Sequence, residues 1–560
     1  MNSDIKLTKE QSIILDHYDQ NIYISAAPGS GKSTMLSYIC DKLLQNINNN
    51  VMLITFTNKA AKNILGKCNN LDKTRIIGGT FHSIGYKLFK ENNINKTICD
   101  ENKKRLIVKN IFNIKDKEEL DEKLKHIDKT KSTFPLISDD TVILYNNELQ
   151  KYNLIDFDDI IINTTSLLSD LNFNIKNITH ILVDELQDTS GQQLEMIKAL
   201  QTRLKCKVIG VADDDQNIYS WRGSRQENVE DFIKIFNCKI LNMGFNFRSA
   251  TSIVECSKKL IIKNKKRLPK IIQAARTDIG TVRKYGCQHH LAEIDYVIGK
   301  CRQFSNDKIT ILYRNRMFKN HLEFELKRNR IDYQVNDMLD ITDRTPIRVM
   351  MSCLRIASCV YDLYDLDQAT KGLKGLGKTT VELIKTNSQN TTVILSILNL
   401  FKIKKMTNRL KSIKEIQDYF NTHLNSSLDM LVRFIERQFN PSFNFQPDMK
   451  SFLIDITSNY KISGEHIREI YNDLGLNARE EEKNENAKIE LSTVHGYKGN
   501  EQEIVIVPWC QQFTTPKNGE IFNVEDERRL FYVAVTRARD KLFLTYSGIE
   551  PIFVKELEIL

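Results

Sequence analysis

The residues best suited to chemistry begin at Ala26. The run Ala26-Ala27-Pro28-Gly29-Ser30-Gly31-Lys32-Ser33-Thr34 has the make-up of a phosphate-binding loop. Its glycines let consecutive backbone N–H groups turn inward onto an anion, and a following helix adds a partial positive charge. Lys32 in such a loop reaches the β- and γ-phosphates, and the Ser33 hydroxyl ligates Mg²⁺. A strict match to G-x-x-x-x-G-K-[ST] lies elsewhere, at Gly372-Leu373-Lys374-Gly375-Leu376-Gly377-Lys378-Thr379, whereas the first loop carries Ala26 in place of the leading glycine. Context decides between them. Ile22-Tyr23-Ile24-Ser25 ahead of the first loop reads as a strand, and Leu36, Ile39, Leu43 and Leu44 after it recur at helical period. The lead-in to the second, residues 361–370, is polar and helix-like. The nucleotide site is therefore expected at Ala27, Pro28, Gly29, Ser30, Gly31, Lys32, Ser33 and Thr34.

A phosphate loop needs partners on the same sheet. The apolar run 178–183 reads as a buried strand that delivers Asp184-Glu185-Leu186-Gln187-Asp188. Asp184 is expected in the Mg²⁺ shell, and Glu185 is expected to position and deprotonate the attacking water. The next strand, 208–212, delivers Asp213-Asp214-Asp215-Gln216, with Gln216 placed to sense the γ-phosphate. Leu7-Thr8-Lys9-Glu10-Gln11 opens a helix capped by Thr8. The Gln11 amide both donates and accepts, which suits an adenine edge or, taken alone, a solvated helix face.

Further strands end in Phe56-Thr57-Asn58-Lys59-Ala60-Ala61 and Gly79-Thr80-Phe81-His82-Ser83. Hydroxyls, an amide and an aromatic ring at the carboxyl edge of a parallel sheet suit ligand binding, although Phe56 could equally pack its own helix. Tyr219, Trp221 and Arg222 form a candidate base-stacking and backbone-clamping surface, each stacked base being worth about 1–3 kcal/mol.

Composition bounds the rest. A chain of 560 residues can bury the cores of three or four compact units. Lys+Arg 81 against Asp+Glu 71 gives +10, compatible with a polyanionic partner. Eleven cysteines without a C-x-x-C pair, in a chain opening Met-Asn-Ser-Asp without an apolar signal segment, point to a reducing, intracellular location. Cys287-Gln288-His289-His290 lacks a second half at finger spacing and reads as a surface turn, so no zinc is assigned. No apolar run is long enough to span a bilayer.

In order along the chain, these motifs resemble the UvrD/Rep/PcrA group of superfamily 1 helicases. The resemblance continues through Asn246-Phe247-Arg248-Ser249, Ile311-Leu312-Tyr313-Arg314, Thr493-Val494-His495-Gly496-Tyr497-Lys498-Gly499-Asn500-Glu501, and the block from Glu525-Asp526-Glu527 to Val535-Thr536-Arg537-Ala538. It implies an α/β fold of two RecA-like P-loop motor domains, each carrying a mainly helical inserted subdomain, with ATP in the cleft between them. It further implies that Phe247 stacks on adenine, that Glu501 contacts the ribose, and that Arg248 and Arg537 reach across to the γ-phosphate. Single-stranded DNA would run over Phe56, Thr57, Asn58, His82, Tyr219, Trp221, Arg222, Thr493 and His495, and Lys378 would meet duplex backbone. Translocation would run 3′ to 5′ with unwinding of duplex, on single strands and their junctions with duplex, by a soluble monomer or weak dimer. Its place would be the cytoplasm or nucleoid, or a nucleus or viral replication site. A protein-displacing translocase with little unwinding, a nucleic-acid-binding switch and an RNA-directed motor are the alternatives. Phe247 replaces a tyrosine, Leu186 a phenylalanine, Thr34 an arginine, and Asn500 and Gln502 apolar residues; none removes a charge-bearing catalytic group.

The expected division is 1–85 with 166–245 for the first motor domain, 86–165 for its insertion, 246–346 with 486–560 for the second, and 347–485 for its insertion. The two glycine-lysine loops then part company in their consequences. Lys32→Ala should eliminate ATP hydrolysis, whereas Lys378→Ala should leave DNA-stimulated hydrolysis largely intact and weaken duplex binding; steady-state hydrolysis and a duplex-binding titration on both variants check this.

Overall fold

Two parallel sheets organise a computed structural model of the chain, which describes residues 7–68, 72–114, 116–220, 224–315, 322, 325–326, 329–335, 345–387, 409–441, 443, 450, 453–454, 457–458, 460–477, 487–515 and 522–559. In chain order the strands are β1 Ile22–Ala26, β2 Val51–Ile54, β3 Ile76–Gly79, β4 Thr97–Ile98, β5 Leu154–Ile155, β6 His180–Val183, β7 Lys207–Ala212 and β8 Lys239–Met243. There follow β9 Phe245–Asn246, β10 Gln273–Ala274, β11 Thr281–Cys287, β12 Ile309–Tyr313, β13 Tyr333–Val335, β14 Ile489–Thr493, β15 Gln502–Val507 and β16 Ala538–Ser547. The first sheet has the order β3-β2-β6-β7-β1-β8 and the second β11-β16-β15-β12-β14-β13, every pairing parallel.

The near-continuous apolar runs of these strands follow from burial on both faces. Tyr23, Met52, Ile54, Ile181, Val183 and Val208 pack into one core cluster, while their strand neighbours Ile22, Ile24, Val51, Leu53, Leu182 and Ile209 pack into another. Successive strand residues face opposite sides, so the sheet is a partition between two cores. The second sheet repeats the arrangement. Ile309, Ile311, Leu491 and Ile506 share one cluster, and Leu312, Val505, Val507 and Leu542 share the other. The strands expected at 22–25, 178–183 and 208–212 therefore stand where the apolar runs placed them, and β2 ends just ahead of Phe56 as expected.

Each unit carries a helical insertion with its own core. In the first, helices Glu101–Ile111, Lys117–Ser132 and Asp140–Lys151 bury Ile107, Val108, Leu124, Ile127, Tyr145 and Leu149 together. The expected boundaries at 86 and 165 fall inside helices Phe81–Glu91 and Phe157–Leu167, whose Ile84, Leu88 and Ile161 belong to the first sheet's core. The second insertion buries residues from Ile347 to Ile470 in one cluster. The insertions touch: Lys103 Nζ lies 2.9 Å from Asp362 Oδ2, and Tyr471 donates to Asp100 at 2.8 Å. Among the described residues no helix is long and apolar enough to cross a membrane, and the eleven cysteines are all free thiols.

The sequence-perfect loop at Gly372 lies inside the second insertion, preceded by helices Thr345–Ala357 and Leu363–Ala369 and followed by helix Lys378–Asn387. Its leading glycine answers to packing, since a Cβ there would meet Val349 Cγ1 at 2.6 Å and the Phe439 ring at 3.2 Å. Gly372→Val should overpack this core and cost about 1–3 kcal/mol. Urea unfolding followed by an insertion-specific probe measures the loss, and nucleotide affinity should stay unchanged.

Candidate nucleotide-binding and catalytic site

The phosphate loop joins β1 to helix Lys32–Leu44, so its N–H groups gather at the carboxyl edge of the first sheet. Gly31 caps the helix in the left-handed region at φ 87°, a conformation that costs glycine nothing. Gly29, at φ +66°, is required for a second reason: an added Cβ would lie 2.6 Å from Arg248 Cβ and 2.7 Å from Asn246 Oδ1. The second unit thus closes directly over the loop, and the Phe247 N–H donates to the Gly29 carbonyl at 3.0 Å. The Phe247 ring is half exposed at this edge. Gln11 is held in a capping box in which its Oε1 accepts the Thr8 N–H at 3.0 Å. Its Nε2 remains beside the loop, 3.8 Å from where a Gly31 Cβ would sit.

Acidic groups from β6 face the loop. Lys32 Nζ lies 3.8 Å from Glu185 Oε1. Burial works to raise the Glu185 carboxyl, yet Lys32 first, then Lys498, a hydrogen bond from Gln187 and Arg537 bring it down to about 2. Asp184 goes the other way. Burial, reinforced by the neighbouring Glu185 charge, pushes it up to about 7, and its Oδ1 is buried with no hydrogen-bond partner. An unpartnered buried carboxylate oxygen beside a second acid is an environment that a divalent cation would relieve. Ser33 stands in the first turn of the helix that starts at Lys32.

Cations arrive from the opposite unit. Arg537, buried at 2% exposure, donates to Gln216 Oε1 at 3.0 Å, while its Nε and Nη1 are fixed on the carbonyls of Val533 and Asn500 at 3.0 and 3.3 Å. Burial and then the nearby Arg248 charge lower its guanidinium to about 9. Lys498 crosses the same cleft, donating to both carboxylate oxygens of Asp188 at 2.7 and 2.6 Å and to the Gln216 carbonyl at 2.7 Å. Arg248 does not cross. Its guanidinium is paired with Glu501 and donates to the Thr536 carbonyl at 3.2 Å, both within its own unit. Arg248 and Glu501, expected at the γ-phosphate and the ribose, are paired with one another here.

Residues 7–141 and 138–237 match the UvrD/REP helicase N-terminal domain, and residues 241–548 match the UvrD-like helicase C-terminal domain. The chain belongs to the UvrD/Rep helicase family. Its two sheets are the two RecA-like motor domains of that family. Among similar proteins, the ATP-dependent DNA helicase Rep of Buchnera aphidicola subsp. Schizaphis graminum is 30% identical over 93% of this chain and 90% of its own length. A probable DNA helicase II homolog of Mycoplasma capricolum is 28% identical over 96% of this chain and 84% of its own. The ATP-dependent DNA helicase srs2 of Schizosaccharomyces pombe is 26% identical over 96% and 71%.

Three of the residues expected on the DNA path, Phe56, Tyr219 and His495, meet in one aromatic group. Phe56 lies on Tyr219 with ring centroids 4.7 Å apart, Tyr219 approaches His495 at 6.0 Å, and Lys498 Nζ sits 5.1 Å from the Tyr219 ring centre. Tyr219 is consequently buried, and its partner Phe56 is the more accessible ring, a correction to the expectation that Tyr219 itself presents a stacking face. Thr57 caps helix Asn58–Gly66, the Asn58 amide oxygen accepts from Ser83 at 3.3 Å, His82 meets Phe157 edge-on, and Thr493 accepts the Gly496 N–H at 3.2 Å. Lys378 is exposed, in the second insertion. Trp221 and Arg222 lie outside the described residues.

Lys498 and Asp188 stand inside the motifs, but their residue types and spacing assign them no role. Nothing in the sequence distinguishes a lysine that crosses a cleft from a solvated one. Their pairing is testable in its own right, since breaking one side of a buried ion pair typically costs roughly 3–5 kcal/mol. A double-mutant cycle of Lys498→Met and Asp188→Asn in urea unfolding should return a coupling above about 1 kcal/mol; additivity would show that the contact carries nothing.

Proposed function

We propose that this chain is an ATP-dependent DNA helicase that hydrolyses ATP between its motor domains and moves 3′ to 5′ along single-stranded DNA, unwinding duplex. The observation that carries the reading is the Arg537 contact with Gln216, a second-domain guanidinium laid on a first-domain amide beside Lys32 and Glu185. The motor domains are assigned to 1–91 with 157–245, which keeps helices Phe81–Glu91 and Phe157–Leu167 with the first sheet's core, and to 246–346 with 486–560. The relatives that span almost the whole chain, Rep and the helicase II homolog, bear the names of DNA helicases, which supports the substrate and the strand separation.

In the catalytic cycle, the loop N–H groups and Lys32 take the phosphates, Phe247 stacks on the base with Gln11 Nε2 nearby, and Glu501 turns to the ribose. Asp184 and Ser33 would hold Mg²⁺, and the unpartnered Asp184 Oδ1 fits that task. When bound, this ion neutralises phosphate charge. Phosphate binding draws Lys32 off Glu185, removing the strongest single attraction that keeps the carboxyl acidic. Glu185 then becomes basic enough to orient a water and accept its proton. Arg537 and, once released from Glu501, Arg248 stabilise the charge on the transferred group. Both belong to the second domain, so hydrolysis requires a closed cleft and product release permits opening.

The strand path is assigned to Phe56, Thr57, Asn58, His82, Thr493 and His495 along the carboxyl edges of both sheets, with Tyr219 supporting Phe56 and Lys378 meeting duplex. Lys498 touches the Tyr219 ring on one side and Asp188 and Gln216 on the other. A strand that displaces Phe56 therefore bears on the nucleotide site. Glu185→Gln should lower DNA-stimulated turnover by about 10²-fold or more while a fluorescent ATP analogue still binds. The unmutated protein should unwind duplexes with 3′ tails in preference to 5′ tails; a 5′ preference, or hydrolysis indifferent to single strands, would overturn the reading.

A further inference from the structure

Asp213, Asp214 and Asp215 follow β7 directly and are at most 1% exposed, three carboxylates buried side by side. Their oxygens converge closely enough to hold a metal ion. The position is instead filled by a side chain of the other domain. Lys270, whose side chain is 2% exposed, is bonded to Asp213 Oδ1 and lies 2.6 Å from Asp214 Oδ1 and 3.1 Å from Asp215 Oδ2. Arg267 grips Asp215 through two hydrogen bonds of 3.0 and 2.8 Å, and the Leu268 N–H donates to Asp214 Oδ2 at 2.8 Å. The segment 267–270 thus neutralises the cluster and ties the second domain to it.

Asp213 has a second task. Its other oxygen, Oδ2, accepts from Gln216 Nε2 at 2.8 Å, and Gln216 Oε1 in turn accepts from Arg537 at 3.0 Å. An amide has one accepting and one donating end, so Arg537 finds an acceptor only while Asp213 takes the NH₂. A buried carboxyl without its cation would pick up a proton and become a donor. Burial does raise Asp213, and Lys270 is the strongest influence opposing it. The Gln216 amide would then turn over and present its NH₂ to the Arg537 guanidinium, donor against donor.

We infer that Lys270 is a positioning residue for ATP hydrolysis, acting through Asp213 to fix which end of the Gln216 amide faces Arg537. The inference rests on the assignment of Gln216 to the γ-phosphate. It also makes the catalytic amide dependent on both domains, with Lys270 behind it and Arg537 in front.

The test uses the full chain and DNA-stimulated hydrolysis. Lys270→Met should lower kcat roughly 10- to 100-fold, the range for residues that hold a catalytic group in place, with the KM for ATP within about 3-fold. In a Gln216→Ala background the same substitution should cost nothing further, because the amide it orients is gone. A merely structural lysine would lower kcat by the same factor in both backgrounds, and that result, or an unchanged kcat in Lys270→Met alone, overturns the inference. If Gln216→Ala by itself leaves kcat intact, the reading of Gln216 fails and takes this inference with it. Should Lys270→Met not fold, Asp213→Asn keeps the side-chain volume and carries the same comparison: a kcat loss absent from the Gln216→Ala background supports the relay, and a loss equal in both refutes it.

Discussion

The structure depends on a concentration of buried negative charge. Asp184 and Asp188 after β6, and Asp213, Asp214 and Asp215 after β7, are buried together at the carboxyl edge of one sheet, with Glu185 partly exposed beside them. Removing such groups from water is costly unless cations or hydrogen bonds replace the lost solvation. Lys32 is the cation the first domain itself contributes to Glu185. Lys498, Lys270, Arg267 and Arg537 all come from the second. The electrostatic demand of one sheet edge therefore fixes where the other domain sits, and the cleft so formed is the place where phosphate would compete for the same cations.

That competition explains how a nucleotide could move domains. Lys32 and Arg248 hold protein carboxylates here, Glu185 and Glu501 respectively. Phosphate offers each a denser negative charge, and the carboxylates they leave acquire new tasks. In the proposed cycle the chemistry and the motion are one exchange of ion-pair partners. The aromatic stack at Phe56 and Tyr219 belongs to the same system because Lys498 contacts both the stack and the acidic edge.

The contrast between the two glycine-lysine loops shows the limit of pattern. The loop at 372–379 satisfies the strict pattern, yet its leading glycine is demanded by contact with Val349 and Phe439 inside a helical core. The loop after β1 breaks the pattern at Ala26, the last residue of a strand, where no special backbone freedom is needed. Its two positive-φ glycines, Gly29 and Gly31, stand where the turn and the close approach of Arg248 require them.

Much of the molecule was legible in the sequence. Buried parallel strands must be apolar throughout, so β1, β2, β6 and β7 announced themselves, and residues bonded to their own neighbours, such as Thr8 capping Gln11, followed from local spacing. The tertiary structure alone decided what depends on partners distant in sequence. Arg248 is paired with Glu501, Tyr219 is covered by Phe56, and Lys270 and Lys498 serve the acidic edge from far along the chain. Hydrophobic periodicity and capping are short-range and survive in any linear reading. Charge compensation in a buried cleft acts through space, and a lysine that neutralises an aspartate hundreds of residues away looks, in the sequence, like every other lysine.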